Sequence, residues 1–413
     1  MDAARESRLR AGLLPIVEPG LDALMDEHRA TRRLHVAGDY EAVHDADVVF
    51  IAVPTPSRPD GRVDISLVEQ AVRAVLLRAH EAVIAIKSTV PPGTTARLEA
   101  LACSLGAPDA RFVANPEFLR EGQAVHDFLN PDRIVIGTRD HAAGDLVAAL
   151  YERLHAHVYR TAPEDAELAK YASNALLAAR ISFMNEIAGI ADSVGADVTQ
   201  VASMVGADAG IGGTFLNAGL GCGGSCFPKD VAGLAALARD VGASSVMLEA
   251  VLDANEDARA RAVAVVLEAT RGIPMPVVGL LGLAFKPGTD DARESPKVAV
   301  ASALANARIA VRATDPSAAQ NALRLEHRLQ IVSSVRDAAL GADVLVLATE
   351  WPAFIEQDWN MIARVMRGHV VLDARNVLDA DAIRAAGLTY RSLGRDILGR
   401  RARANREEVA CVS

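Results

Sequence analysis

Two blocks of short, almost wholly apolar runs dominate the sequence and limit what it can fold into. In the first block, Val48–Val53 (VVFIAV), Val83–Lys87 (VIAIK), Arg111–Ala114 and Arg133–Gly137 alternate with segments of helical periodicity such as 66–78. In the second, Val277 opens VVGLLGLAF, followed by Ile309–Thr314, Val344–Ala348 and Val370–Leu372. Runs without polar alternation suit strands covered on both faces, and strands alternating with helices suit a parallel sheet with helices on either side. Between the blocks, Pro163–Val194 repeats apolar residues at three and four with no internal proline. This predicts one helix long enough to bridge domains or to form a dimer interface. Further helices are expected at 2–11, 21–29, 197–205, 230–241 and 247–268. The expected fold class is α/β. A Rossmann-like N-terminal domain would span 1–160, a helical central domain 161–268, a second Rossmann-like domain 269–395, and a tail 396–413.

Bulk properties exclude several function classes. A formal net charge of -10 makes the chain a poor nonspecific ligand for nucleic acid, which needs clustered cations. The arginine-rich stretches Arg29–Arg33 and Arg395–Arg403 are short and read as solvated surface. No run approaches the roughly 18 apolar residues of a membrane span, so no membrane partner is expected. The charged N-terminus is not a signal peptide, which points to the cytoplasm and reduced thiols. Cys103, Cys222, Cys226 and Cys411 form no zinc pattern, and no metal is expected.

A dinucleotide-binding domain opens with a strand, G-x-G-x-x-G and a helix. No such unit precedes the first strand candidates. The pattern occurs once, at Gly219-Leu220-Gly221-Cys222-Gly223-Gly224, with no strand before it and Ser225-Cys226-Phe227-Pro228 behind it. That context fits a substrate loop. Cys226 follows these glycines and precedes Lys229 and Asp230, which suits either an activated thiol or an inert buried one. Lys170 and Asn174 share a helix face; Lys170 could equally pair with Glu167 on the surface. Glu117 and Thr89 end strand candidates, where either catalytic groups or turn residues stand.

Ordered motifs extend the reading. Leu14-Pro15-Ile16-Val17-Glu18-Pro19-Gly20-Leu21, Val53-Pro54-Thr55-Pro56, Lys87-Ser88-Thr89-Val90-Pro91 and Asn115-Pro116-Glu117-Phe118-Leu119-Arg120-Glu121-Gly122 come first. Gly223-Gly224-Ser225-Cys226-Phe227-Pro228-Lys229-Asp230, Gly282-Leu283-Ala284-Phe285-Lys286-Pro287-Gly288-Thr289-Asp290-Asp291, Arg293-Glu294-Ser295-Pro296 and Asp373-Ala374-Arg375-Asn376 follow. In this order they resemble the UDP-glucose/GDP-mannose dehydrogenases over nearly residues 2 to 395.

The resemblance implies NAD as cofactor, a homodimer, and oxidation of UDP-glucose to UDP-glucuronate through a cysteine thiohemiacetal and thioester. GDP-mannose oxidation and a truncated, non-catalytic UDP-sugar binder are the alternatives. By comparison with the family, the chain begins just after the acidic residue for the adenosine ribose. An opening strand–GxGxxG–helix–strand would be absent, leaving the N-terminal Rossmann-like domain incomplete. The implied catalytic residues are Cys226, Lys170, Asn174, Glu117, Asp230 and Thr89. NAD contacts would come from Thr55, Thr89, Glu121, Lys229, Arg293 and Arg5. The nucleotide sugar would meet Glu117, Phe118, Leu119, Arg120, Lys170, Asn174, Phe215, Leu216, Asn217, Gly219, Gly223, Lys286 and Arg375. Two positions depart from the family. Cys222 replaces an aromatic residue, and Gly210, in Asp208-Ala209-Gly210-Ile211-Gly212, replaces an arginine that reaches the neighbouring subunit's sugar site. Weaker substrate binding follows unless a residue such as Arg180 substitutes.

Overall fold

A computed structural model describes residues 3–79 and 81–395. The expected tail and Cys411 lie outside them. The chain divides into two compact units: residues up to Ala175 with Lys229–Ser245, and Leu176–Pro228 with the residues from Val246 onward.

The first unit holds β1 (Val48–Ile51), β2 (Val83–Ile86), β3 (Arg111–Ala114), β4 (Ile134–Gly137) and β5 (Val158–Thr161), side by side in that order. Strands β1 to β3 run parallel, with Val49 opposite Ile84 and Ile84 opposite Phe112. The wholly parallel sheet expected from the alternation gives way at β4, which meets β3 antiparallel at Ala114 and Gly137. The link between them carries only the six-residue helix Ala124–Leu129, not a full crossover helix. Pro116 cannot extend the β3 ladder, and Asn115 Nδ2 takes over by donating to Val135 O at 2.8 Å. The helix Ser66–Leu76 buries Val68, Val72 and Val75 completely in the core with β1 and β2. Each such side chain contributes roughly 1.5–3 kcal/mol. Residues 3–47 form the helices Ala3–Arg10 and Leu21–Ala30 and a short 3-10 turn, but no strand. Among the described residues β1 is therefore an edge, and its Phe50 is 39% exposed.

The second unit carries β6 (Val277–Leu281), β7 (Ala310–Thr314), β8 (Gln330–Ile331), β9 (Val344–Leu347), β10 (Val370–Asp373) and β11 (Thr389–Ser392). They lie in the order β8-β7-β6-β9-β10-β11, all parallel. Counted from β6, this is the 3-2-1-4-5-6 order of a doubly wound nucleotide-binding sheet. Strand order reverses between β6 and β9, which run parallel, so a crevice opens beyond their carboxyl ends. Gly282 sits there with φ +105°, and a Cβ on it would lie 2.4 Å from Thr349. Only glycine lets the two backbones approach so closely.

The predicted long helix spans Pro163–Val194, 32 residues. The helix expected from 230 begins at Phe227, because Pro228 is tolerated in a first turn. Among the described residues no helix is long and apolar enough to cross a membrane.

Candidate active site

The first unit gathers an unusual set of buried polar groups. Glu117 follows β3 across Asn115-Pro116. Its Oε1 lies 3.0 Å from Lys170 Nζ, and its Oε2 accepts from Leu119 N at 2.6 Å. The Lys170 side chain is 5% exposed, too buried for a solvated surface lysine. Its possible partner Glu167 is engaged elsewhere, accepting from Gly93 N, Thr95 N and Thr95 Oγ1 at 2.6 to 2.8 Å. One helical turn beyond Lys170, Asn174 Nδ2 donates to Asp230 Oδ2 at 2.6 Å, and Lys229 Nζ donates to Asp230 Oδ1 at 2.6 Å. Asp230 is 1% exposed, so its carboxylate is both desolvated and compensated. The sequence thus brings Glu117 to Lys170, and Asn174 and Lys229 to Asp230.

Other implied residues are placed more loosely. Phe118 lies under the Arg133 guanidinium at 4.0 Å and the Lys170 ammonium at 5.5 Å. Arg120 forks onto Asp127 at 2.7 and 2.9 Å, which holds that carboxyl down at about 2. Thr55 is buried, and its Oγ1 donates to the carbonyl of half-buried Thr89 at 2.9 Å. Glu121 is half-buried, and Arg5 stands exposed on the helix Ala3–Arg10.

One residue of this unit escaped the sequence reading. Lys87 Nζ donates to Asn115 Oδ1 at 3.1 Å and to Tyr151 Oη at 3.0 Å, while Tyr151 donates to Asn115 Oδ1 at 2.6 Å. Burial pushes Lys87 down to about 8, with the Lys170 charge adding to the effect and Glu117 opposing it.

The second unit carries the thiol loop and the switch-point residues. Cys226 is exposed, with Sγ 3.7 Å from Ser225 Oγ, so the inert buried reading fails for it. Cys222 is the buried thiol. Asn255 accepts from its N–H and donates to its carbonyl, and burial pushes its thiol up to about 11. Phe215 holds φ +61° with its ring 6.1 Å from that of Phe227. Leu216 is buried against Met184 and Ala188, and Asn217 is exposed. Asn185 was not foreseen: its Oδ1 accepts from Gly219 N at 2.7 Å and tethers this loop to the long helix. Arg180 donates to the carbonyls of Ile211 and Gly212, so its guanidinium is committed to the backbone beside Gly210.

At the crevice, Lys286 follows β6 and Arg375 follows β10. Arg375 makes a two-pronged pair with Glu350, at 2.7 and 2.8 Å, and a Cβ on Gly219 would come within 2.5 Å of its guanidinium. Burial raises the Glu350 carboxyl, but the charge and hydrogen bonds of Arg375 outweigh this and leave it lowered. Arg293 forks onto Asp291.

Sequence comparison matches three segments of the chain to one family. Residues 1–155 match the NAD binding domain of the UDP-glucose/GDP-mannose dehydrogenase family, 164–257 its central domain and 279–380 its UDP binding domain. The chain belongs to the UDP-glucose/GDP-mannose dehydrogenase family. Among its members, the UDP-glucose 6-dehydrogenase of Rhizobium meliloti is 41% identical over 404 residues, 95% of this chain and 92% of that protein. The UDP-glucose 6-dehydrogenase of Pseudomonas aeruginosa is 40% identical over 415 residues, covering 96% and 92%. The solved UDP-glucose dehydrogenase of Pyrobaculum islandicum superposes with a TM-score of 0.88 at 39% identity, covering 95% of this chain and 90% of that one. The family's cofactor is NAD; Thr55 and Thr89, in contact with each other, stand just past the carboxyl ends of β1 and β2. Among the described residues no strand–glycine loop–helix stands before β1 to cradle the pyrophosphate.

Proposed function

We propose that this chain is a homodimeric UDP-glucose 6-dehydrogenase that makes UDP-glucuronate, with Cys226 as its covalent nucleophile. The observation that carries the reading is the desolvated, mutually compensated set Glu117–Lys170 and Asn174–Asp230–Lys229 in a chain whose thiol, Cys226, stands exposed beside it in sequence. An alcohol becomes an acid by losing two hydrides, and bound NAD supplies the acceptor for each. Cys226 would add to the intermediate aldehyde as a thiohemiacetal, then carry the acyl group as a thioester. Lys170 and Asn174 suit the oxyanion, since an ammonium and an amide N–H stabilise developing negative charge in a dry setting. Glu117 would move the proton of the hydrolytic water, with Asp230 orienting it. Thr89 suits the same water and the nicotinamide. Glu121, Lys229, Arg293 and Arg5 remain weaker candidates for cofactor contact. Lys286 and Arg375, at the switch point of the UDP binding domain, suit the nucleotide diphosphate. Phe215, Leu216, Asn217, Gly219 and Gly223 would contact the sugar, and Phe118, Leu119 and Arg120 are further candidates for binding it.

Support for the dimer comes from the second half of the long helix. Leu176, Phe183, Ile190 and Val194 are 65%, 55%, 51% and 70% exposed at spacings of seven, seven and four, an unpartnered apolar stripe.

Two measurements test the reading. A nucleotide-sugar panel should give NAD reduction with UDP-glucose at a kcat/KM at least about a hundredfold above GDP-mannose; the reverse order would overturn the substrate assignment. Gly210→Arg should lower the apparent KM for UDP-glucose. The N–H of Gly210 already bonds Asp208 Oδ1, its φ is not positive, and Arg180 is occupied with the neighbouring carbonyls. An unchanged KM would mean that Gly210 leaves no contact unfilled.

A further inference from the structure

The turn after β6 has its backbone held almost group by group. Ser295 Oγ donates to Leu283 O at 2.7 Å, Thr349 Oγ1 to Ala284 O at 2.9 Å, and Lys297 Nζ to Phe285 O at 2.7 Å. Asp315 Oδ2 accepts from the N–H groups of Leu283 and Ala284. Two of the three carbonyl donors are hydroxyls, the inexpensive choice. The third is an ammonium on a residue 1% exposed, and its hydrogen bond goes to a carbonyl, not a carboxylate. Burying a cation this way is costly, and a hydroxyl or amide would satisfy a carbonyl at less expense.

The peptide that Lys297 grips faces two functional segments. On one side the Phe285 ring closes on the thiol loop: a Cβ on Gly224 would lie 2.8 Å from it, and one on Gly223 would lie 2.4 Å from Pro296. On the other side Lys286 begins, its ammonium 5.5 Å from the Phe285 ring. We propose that Lys297 is a positioning residue that fixes the Phe285–Lys286 peptide, and through the Phe285 ring sets the loop that presents Cys226. The role deepens the nucleophile reading of Cys226 and rests on it.

The charges that face Lys297 are Arg375, Glu350, Asp315 and the Cys222 thiol. Burial pushes Lys297 down to about 7; Arg375 adds to this, and Glu350, Asp315 and Cys222 oppose it. A grip held by an amine so displaced would change its charge near neutral pH.

The test is alkylation of Cys226 by iodoacetamide in the full chain, followed by peptide mass mapping from about pH 5.5 to 8.5. No turnover is needed, so its outcome is separate from whether Cys226→Ala abolishes activity. In the unmutated chain the rate should show an inflection near 7 besides the thiol's own ionisation. In Lys297→Met that inflection should vanish and the rate fall about threefold or more. Phe285→Leu leaves the buried amine in place but removes the ring that transmits its state, and it should lose the inflection too. A single ionisation in the unmutated chain, or an unaltered profile in both variants, would overturn the role.

Discussion

Cys226→Ala should leave a folded protein that forms no UDP-glucuronate, with kcat for NAD reduction down at least about a thousandfold. Folding should survive because Cys226 is exposed. The chemistry should not survive, because no other exposed thiol stands in this loop: Cys222 is buried, and its thiol is pushed up to about 11. Cys222→Ala should therefore retain most of the activity, although it removes a thiol only four residues away. Paired assays of UDP-glucose-dependent NADH formation, with a thermal melt for each variant, check both. If Cys226→Ala turned over at even a tenth of the unmutated rate, the covalent route would be wrong, and the aldehyde would have to be held without a bond to sulfur.

Legibility in the sequence followed burial. Strands covered on both faces announced themselves as apolar runs, and VIAI of β2 and VLVL of β9 are buried at every position. The edge strands β5 (VYRT) and β11 (TYRS) went unread, since a half-solvated strand mixes polar residues into the run. The antiparallel step at β4 was hidden too, because a connection's direction depends on the geometry of its loops, not on composition. At the site, the helix period alone put Lys170 and Asn174 on one face, and chain order alone put Asp230 near Cys226. Partners could not be read this way. Lys170 had two carboxylates to choose from, Glu117 and Glu167, and Glu167 went instead to the start of the helix Thr94–Ser104. Lys87, Glu350 and Lys297 each act across separate strands or helices, and no periodicity within one element points to such a partner. Their one sequence signal is a charged residue embedded in, or just beyond, an apolar run.

Lys170 supplies the second large effect. Lys170→Met should lower kcat about a hundred- to a thousandfold, the usual loss when one oxyanion donor is removed. The methionine fills most of the same volume, so packing changes little; what disappears is the cation 3.0 Å from Glu117. Two consequences would then appear together. The oxyanion loses a donor, and Glu117 is left half-buried without that cation, still accepting from Leu119 N at 2.6 Å. Removing one member of a fully buried ion pair costs about 3–5 kcal/mol when the other stays charged; Glu117 keeps some solvent contact, so the melting temperature should fall, by less than that figure implies. Lys170→Met with Glu117→Gln isolates the stability effect. A neutral amide needs no counter-cation, so the double variant should regain the melting temperature, while the kcat effect is read in Lys170→Met alone, since Glu117→Gln lowers kcat by itself. If the melting temperature were not regained, Lys170 would be holding the helix for some other reason. If Lys170→Met kept its full rate, the pair would be a structural salt bridge, and the oxyanion donors would have to be sought among backbone N–H groups.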